Sequence, residues 1–365
     1  MTTKYAFRIS IAAAAALFLG VVPSTHADAQ SQKLRILQTN FAGDSIDIID
    51  PASNKVVGEI MGIEAAHGIV TSRDGSRIYV SEEADNTLDV IDGKTLKITK
   101  KIVLSGNPNL IDITPDGRHI YVSIALTWND LSDFPRIKAA NSGGVDVIDT
   151  ASLQKIKTIP IKSGVHDLNV TPDGKYVIVG NARGAKPPMD VMTVVDTSTN
   201  EIAWTMPMTP APSPMAVMKN PDGSTRTIFT QNGRDNQFQV VDFATRKITG
   251  TIKLPDITGQ DKNLYGPPAV SHGLMVTPDQ KLLLVNSRGN SAVYFYSLPD
   301  VKFQGVTTLG GKGAGWLTIT PDGKTAYIAN EHTNDVSVVD IKSMKEVTRI
   351  PVGFAPARNI VWMQP

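Results

Sequence analysis

Short stretches of alternating apolar and polar residues run along most of the chain, and no long stretch of helical period competes with them. The clearest stretch begins with a small or polar residue and ends in Thr-Pro-Asp-Gly or a close variant. In such a turn proline presets φ, and glycine takes the positive φ that a tight hairpin needs. The pattern predicts β-hairpins, with a weaker turn where Gln280 replaces glycine. It occurs at residues 67–75, 109–117, 166–174, 215–223, 272–280 and 315–323.

Each of these hairpins is followed by a third strand that ends on aspartate, or on serine in one copy, and by a fourth strand such as residues 345–351. Four short antiparallel strands that recur every 42 to 57 residues form one blade of a β-propeller. The third strand occurs seven times, but the turn segment occurs only six times. Residues 356–362 (PARNIVW) resemble the start of the missing inner strand. The sequence thus predicts an all-β, seven-bladed propeller, closed by a blade shared between N- and C-terminal strands, without an exposed sheet edge.

The run Thr-Pro-Asp-Gly-Lys-x-x-Tyr-Ile-x-Asn at residues 320–330, followed by Val-x-Val-Val-Asp, resembles the YVTN-type β-propeller repeat of exported bacterial proteins. The resemblance covers essentially the whole chain after residue 29. It implies a family that includes binding proteins, lyase- and lactonase-like enzymes, and subunits of quinoprotein dehydrogenases. It is therefore specific for the fold and a poor guide to function.

The first 29 residues have the pattern of a secretory signal peptide. Lys4 and Arg8 precede an apolar run at residues 9–22, and Ala27-Asp28-Ala29 offers small residues at a cleavage site. The run of 14 residues is shorter than the roughly 18 to 20 needed to span a bilayer. We expect residues 1–29 to be removed and residues 30–365 to form a single propeller domain. That domain is expected to be periplasmic or secreted, with no membrane span after cleavage.

Charge and cysteine content narrow the possible partners. The chain has 36 Lys and Arg against 35 Asp and Glu, which gives no electrostatic basis for binding nucleic acid or an anionic membrane. It has no cysteine, which excludes disulfides, c-type haem, cysteine-ligated iron–sulfur clusters and thiolate zinc sites. A small molecule or a periplasmic protein remains as the expected partner.

The connections between strands differ in length on the two faces of the predicted propeller. The Asp-Gly turns on one face are minimal, whereas the connections from second to third strand and from blade to blade on the other face vary widely. From the second to the third strand the chain advances 8 residues in three blades, but 23 in blade three and 13 in blade four. Elaborated loops on a rigid scaffold commonly carry function. This loop-rich face holds the candidate ligand-binding residues Trp128, Arg183, Arg234, Arg288 and His332.

Three histidines, His67, His166 and His272, occupy the same repeat position in blades two, four and six, eight residues before the end of the turn. That position opens the innermost strand, at the mouth of the central channel. Imidazoles around a channel can bind a transition metal, polarise a ligand or simply fill the mouth. We therefore include all three as ligand-binding residues and as candidate metal ligands. Arg358 in the C-terminal inner strand completes the candidate set.

Three kinds of function are compatible with this sequence, and the third requires a redox cofactor outside this chain. The leading hypothesis is an exported propeller that binds a small ligand or a partner protein at the channel mouth of the loop-rich face. The alternative is a metal-dependent enzyme, of lyase, lactonase-like hydrolase or oxidoreductase type, with a His-lined site at the same mouth. A third possibility is a non-haem subunit of a periplasmic redox complex. Motifs of common hydrolases, P-loops and EF-hands are absent from the sequence.

Overall fold

The strands follow the repeat seen in the sequence. The computed structural model describes Met1 and residues 32–127, 143–161, 164–180, 191–208, 212–232, 236–257 and 271–365. In these ranges every regular element is a β-strand, and no described helix is long and apolar enough to cross a membrane. The expected signal peptide lies outside the described residues.

Seven four-stranded antiparallel sheets make the blades of a seven-bladed β-propeller, as the sequence predicts. Blade one contains β1 (Lys33–Asn40), β2 (Ser45–Asp50) and β3 (Lys55–Met61). Blade two contains β4 (Ala66–Thr71), β5 (Arg77–Glu82), β6 (Thr87–Asp92) and β7 (Ile98–Val103). Blade three contains β8 (Gly106–Ile113), β9 (His119–Thr127), β10 (Gly143–Asp149) and β11 (Gln154–Ile161). Blade four contains β12 (Asp167–Val170), β13 (Tyr176–Gly180), β14 (Val191–Asp196) and β15 (Glu201–Pro207).

The remaining blades repeat the same order. Blade five contains β16 (Met215–Lys219), β17 (Thr225–Asn232), β18 (Gln237–Asp242) and β19 (Lys247–Lys253). Blade six contains β20 (Ser271–Val276), β21 (Leu282–Ser287), β22 (Ala292–Ser297) and β23 (Lys302–Thr308). Blade seven contains β24 (Ala314–Ile319), β25 (Thr325–Asn330), β26 (Asp335–Asp340) and β27 (Lys345–Pro351). The last strand, β28 (Pro356–Gln364), belongs to blade one.

The ring is closed by the shared blade that the strand count predicts. Strand β28 pairs antiparallel with β1, so that Ile36 faces Val361. The side-chain amide of Asn359 donates to the Gln38 side-chain oxygen at 3.1 Å, and both residues are buried. Blade one therefore has the strand order β28-β1-β2-β3, and its innermost strand comes from the C-terminal end of the chain.

The hydrophobic core lies between neighbouring blades. Between blades one and two, Leu37 and Ile46 pack with Ile69 and Ile78, and all four are buried. The Trp362 side chain joins them, and its indole N–H donates to a backbone carbonyl of the Asp-Gly turn of blade two at 3.0 Å. The middle strands of a blade, such as β2, are buried on both faces, whereas the outermost strands, such as β3, are largely exposed. The innermost strands of successive blades contact one another around the ring and enclose the central channel.

The Thr-Pro-Asp-Gly turns owe their sequence to a local hydrogen-bond pattern. In the turn of blade three the Thr114 hydroxyl donates to the Asp116 carboxylate at 2.6 Å and accepts the His119 N–H at 3.1 Å. The turn glycines take φ between 71° and 88°. Gln280 has φ 58° at the equivalent place, and its side-chain oxygen accepts the Lys219 N–H of blade five at 2.8 Å. A residue that is unfavourable for the turn is thus used to join two blades.

Candidate ligand site at the channel mouth

Seven residues lie where the innermost strands of the seven blades begin, and we name them the channel-mouth ring. Five of them, His67, Asn109, His166, His272 and Gly315, have equivalent positions in the strand register, Arg358 lies one position further along its inner strand, and the equivalent residue of blade five is Ser213. The imidazoles of His166 in blade four and His272 in blade six meet edge to face, with centroids 6.0 Å apart. These blades are not neighbours. The contact therefore crosses the mouth of the channel and brings separate blades into one site.

Buried hydroxyl groups on the second strand of a blade form hydrogen bonds with the backbone of the channel-mouth ring. The Thr39 hydroxyl oxygen lies 3.0 Å from the backbone carbonyl oxygens of both His67 and Arg358, and accepts the Arg358 N–H at 3.0 Å. The Ser123 hydroxyl donates to the His166 carbonyl at 3.1 Å in the same way. Thr39 and Ser123 are fully buried. Blades one and three thus fix the backbone of the next blade where its ring histidine projects.

His67 is oriented by a carboxylate. Its Nδ1 lies 2.6 Å from Glu83 Oε1, and the Asn109 side-chain amide donates to the same oxygen at 2.6 Å. The Phe41 ring packs edge-on against the imidazole, with centroids 5.6 Å apart. No described residue forms a hydrogen bond with His67 Nε2. The imidazole is therefore fixed through one nitrogen, and the other remains available to a ligand.

The other two histidines have different surroundings. His166 Nδ1 lies 2.6 Å from the Ser213 hydroxyl. His272 is 6% exposed, packs edge-on against Trp316 with centroids 4.6 Å apart, and has no described hydrogen-bond partner for its buried Nδ1. Burial, and then the positive charge of Arg288, holds the pKa of His272 well below its usual value. His272 is thus a neutral imidazole at neutral pH.

Arg358 stacks on the same tryptophan. Its guanidinium carbon lies 4.2 Å from the centroid of the Trp316 ring, in cation–π geometry. None of the described residues forms a hydrogen bond or an ion pair with this guanidinium. Arginine carries five N–H donors in a rigid fork that matches a carboxylate or phosphate. A fixed planar cation with unused donors therefore lies at the channel mouth.

Two carboxyl groups, the buried Asp167 and the half-buried Asp112, lie near this cation. Asp112 accepts the Val170 N–H of the next blade, and Asp167 accepts the Met215 N–H of the next blade, each at 2.7 Å. Burial raises the pKa of Asp112 to about 6 and that of Asp167 to about 7, although the positive charge of Arg358 acts in the opposite direction. The net charge around Arg358 therefore changes across the neutral pH range.

An ion pair joins blades six and seven on the loop-rich face. Arg288 Nη2 contacts Glu331 Oε1, and both side chains are largely buried. Gly315 of the ring makes room for this pair, because a Cβ at its position would overlap the Glu331 carboxylate. The His332 ring lies in the same way against Gly313. Gly313 and Gly315 thus leave room for the polar side chains of His332 and Glu331 beside the inner strand of blade seven.

The structure brings some of the predicted residues together and does not describe others. His67, His166, His272 and Arg358 lie in the channel-mouth ring, and Arg288 and His332 lie in connections on the same face. Trp128, Arg183 and Arg234 fall outside the described residues. Among the residues that are described, no group of three or more His, Asp or Glu side chains is placed to hold a metal ion. A shared metal on His67, His166 and His272 thus stays a prediction.

The candidate set drawn from the sequence omitted five residues that the structure places at the ring: Glu83, Asp112, Asp167, Ser213 and Trp316. Two of them carry a detectable signal. Asp112 is the charged residue at an inner-strand position of the sequence repeat where the other repeats have uncharged residues, namely Val70, Asn169, Met218, Met275 and Thr318. Trp316 is the largest side chain at a position where two other repeats have Gly68 and Gly273. No comparable signal marks Ser213, whose role depends on its distance from His166.

The fold and ring define a seven-bladed β-propeller protein with a polar channel mouth, and comparisons with known proteins agree. The family described as lactonase, seven-bladed β-propeller, matches residues 267–357, which contain blades six and seven. The chain is 29% identical to antigen Lp49 of Leptospira interrogans over 136 residues, 37% of this chain and 27% of that protein. It is 28% identical to the seven-bladed β-propeller protein Rv1057 of Mycobacterium tuberculosis over 148 residues, 40% of this chain and 33% of that protein. The matches thus span a third or less of each relative.

Solved structures share the fold over nearly the whole chain. Hydrazine synthase of Kuenenia stuttgartiensis superposes with a TM-score of 0.67 at 21% identity, over 88% of this chain and 99% of that chain. The periplasmic gluconolactonase PpgL of Pseudomonas aeruginosa superposes with a TM-score of 0.68 at 17% identity, over 91% of this chain and 100% of that chain. At these identities the likeness is one of fold. The comparisons support a seven-bladed propeller family without distinguishing the YVTN-type repeat.

Proposed function

We propose that this chain is an exported, YVTN-type propeller whose channel-mouth ring binds a small organic anion. The observation that carries the proposal is the Arg358 guanidinium, which stacks on Trp316 and has no hydrogen-bond or ion-pair partner among the described residues. Asp112 and Asp167 act on this cation through space, but neither forms a hydrogen bond with it, so its N–H donors are left without the anionic partner that a buried arginine normally has. A ligand carboxylate supplies that partner.

The surroundings of Arg358 favour an organic anion over a bare inorganic ion. Trp316 offers an aromatic face beside the cation, and His272 offers a neutral nitrogen without a described partner. At the rim, Phe41 is 38% exposed and Phe354 is 67% exposed. Ligand sites commonly combine aromatic walls with a few well-placed polar groups. An apolar body attached to the carboxylate would cover these rings.

Export to the periplasm is part of the same proposal. It is supported by the signal-peptide pattern of residues 1–29 and by the structural likeness to a periplasmic gluconolactonase. The near balance of charges and the absence of a membrane-spanning helix among the described residues suit a small-molecule partner better than nucleic acid or a bilayer.

Calorimetric titration with a panel of carboxylates tests the proposal. Benzoate, citrate, succinate and propionate are titrated into the purified chain at pH 6, and we expect at least one to bind. Arg358→Gln should then weaken binding by about 10- to 100-fold, because a charged hydrogen bond is worth about 1.5 to 3 kcal/mol. Arg358→Lys should recover only part of the loss, since lysine keeps the charge but not the planar fork.

The control variant is Arg118→Gln. Arg118 is an exposed arginine that follows an Asp-Gly turn at the opposite end of the propeller, and its replacement should leave binding unchanged. Absence of binding by the whole panel, or equal binding by the Arg358→Gln variant and the wild-type chain, would overturn the proposal.

A lactonase-like hydrolase is the second candidate function. It is favoured by the family match over residues 267–357, which includes His272 and Arg288. The described side chains do not form a metal-binding group, so a metal centre on the three histidines is tested and not assumed. Protein purified without a histidine tag is assayed with glucono-δ-lactone, before and after treatment with EDTA, and its metal content is measured. Turnover that requires metal and each of His67, His166 and His272 would favour the enzyme; absence of turnover would exclude this lactone as substrate.

A further inference from the structure

The Glu83–His67 pair defines a second polar group beside Arg358 in the channel-mouth ring. The two ring residues belong to neighbouring blades, and the Thr39 hydroxyl lies 3.0 Å from both of their backbone carbonyl oxygens. The His67 and Glu83 side chains are each 12% exposed, so both reach the open part of the mouth. The backbones of His67 and Arg358 are therefore held side by side at the junction of blades one and two.

The orientation of this imidazole is fixed before any ligand arrives. Glu83 holds Nδ1 at 2.6 Å, Asn109 holds the same carboxylate oxygen, and Phe41 packs edge-on against the ring. Nδ1 is thus occupied, and Nε2 has no partner among the described residues. A carboxylate that pins one imidazole nitrogen, and so sets the role of the other, is a common arrangement at functional sites.

The chemistry of Nε2 selects the group it can bind. In the neutral ring with Nδ1–H directed at Glu83, Nε2 accepts a hydrogen bond; in the protonated ring, Nε2–H donates one. A hydroxyl can act as donor or acceptor and satisfies both states, whereas a methylene satisfies neither. Leaving Nε2 buried under an apolar ligand atom would forfeit its hydrogen bonds with water.

We propose that the ligand of the channel mouth is a hydroxycarboxylate: its carboxylate binds Arg358 and its hydroxyl binds His67 Nε2, with Glu83 as the positioning residue. This inference rests on the anion binding proposed above and adds the second recognition element. Sites built to bind a hydroxyl discriminate strongly against analogues that lack it, because a polar group of the site is then left unpaired.

Matched ligand pairs test this inference. Lactate is compared with propionate, and 3-hydroxybutyrate with butyrate, by calorimetric titration into the full chain at one pH. The two pairs place the hydroxyl at different distances from the carboxylate. We expect the hydroxylated member of at least one pair to bind about 10- to 100-fold more tightly than its partner.

Variants then assign that preference to His67 and Glu83. His67→Phe keeps an aromatic ring against Phe41 and removes Nε2, so the preference for the hydroxyl should disappear while the plain carboxylate still binds. Glu83→Ala, which leaves His67 in place, should reduce the preference several-fold and serves if the phenylalanine variant does not fold. His119→Phe, at the opposite end of the propeller, is the control and should keep the wild-type preference.

The outcomes separate this inference from the proposed function. If neither these carboxylates nor the earlier panel binds, anion binding itself fails; if a member of the earlier panel binds but no carboxylate of either pair does, the hydroxycarboxylate inference is wrong. If the plain carboxylates bind and the hydroxyl adds less than a factor of two in both pairs, the hydroxycarboxylate inference is wrong while anion binding stands. A preference that survives in His67→Phe would likewise overturn the role assigned to His67.

Discussion

Replacement of Asp167 by asparagine probes the electrostatics of the channel without any ligand. Asp167 is 1% exposed, and burial raises its pKa from an ordinary 3.8 to about 7 despite the attraction of Arg358. In the unfolded chain the same carboxyl releases its proton near pH 4. Between about pH 4 and 7 the folded state therefore binds one more proton than the unfolded state. The contribution of Asp167 to the free energy of unfolding then falls as the pH rises through this window.

The contribution of Asp167 to the free energy of unfolding has an upper limit, which its pKa sets. Each pH unit in the window lowers the free energy of unfolding by up to about 1.4 kcal/mol, which gives at most about 4 kcal/mol between pH 4 and 7. Asparagine stays neutral, and its side-chain oxygen can still accept the Met215 N–H. We expect the Asp167→Asn variant to match the wild-type chain within about 1 kcal/mol at pH 4. At pH 8 it should be more stable by about 1 to 4 kcal/mol.

Urea unfolding followed by tryptophan fluorescence at five pH values from 4 to 8 measures the difference. Asp196→Asn is the control, because the Ser198 hydroxyl and N–H hold the pKa of Asp196 below its ordinary value. The sign is then opposite, and the window in which Asp196 titrates lies at and below about pH 4. That variant should therefore lose a little stability, by nearly the same amount from pH 5 to pH 8. A gap between Asp167→Asn and wild type that stays constant from pH 4 to pH 8, or that favours wild type more at high pH, would refute the reasoning.

Two further predictions concern the scaffold. Deletion of residues 356–364 removes β28 and leaves an unpaired edge on β1. The shortened chain should therefore aggregate or lose its cooperative thermal transition in calorimetry. A shortened chain that melts like the intact chain would contradict the closure of the ring by β28. Gln280→Gly should remove roughly 1 to 2 kcal/mol of strain caused by the positive φ of Gln280, but it should also lose the hydrogen bond from Lys219, which is worth about 1 kcal/mol. The two effects oppose each other, so urea unfolding should show a net change in the free energy of unfolding within about 1 kcal/mol. A loss above about 2 kcal/mol would show that the interblade bond dominates.

The fold was predictable because its information is local and repeated. Each Thr-Pro-Asp-Gly turn predicts a hairpin from its own sequence. The third strand occurs seven times but the turn only six times, and this difference indicates that residues 356–362 complete blade one. The equivalence of His67, His166 and His272 also follows from the repeat, which places them at one level of the channel before any coordinates are known.

The details of the site depend on contacts between blades, which a linear repeat does not define. Glu83 reaches His67 within one blade, but the Asn109 amide that shares its oxygen comes from the next blade. Trp316 in blade seven contacts both His272 in blade six and Arg358 in blade one. Such contacts arise only after the ring closes, so sequence spacing could indicate which side chains reach the mouth but not which of them touch.

The closure of blade one also has a consequence for the order of folding. Gln38 and its hydrogen-bond partner Asn359 are 321 residues apart, so β1 is made long before β28. At roughly 5 to 20 residues per second, synthesis leaves the inner edge of β1 without its native partner for about 15 to 60 seconds. During that interval Arg358 has not been made, and the channel mouth lacks its cation. Completion of the ring and assembly of the proposed anion site are therefore one event, reached only when the final strand is added.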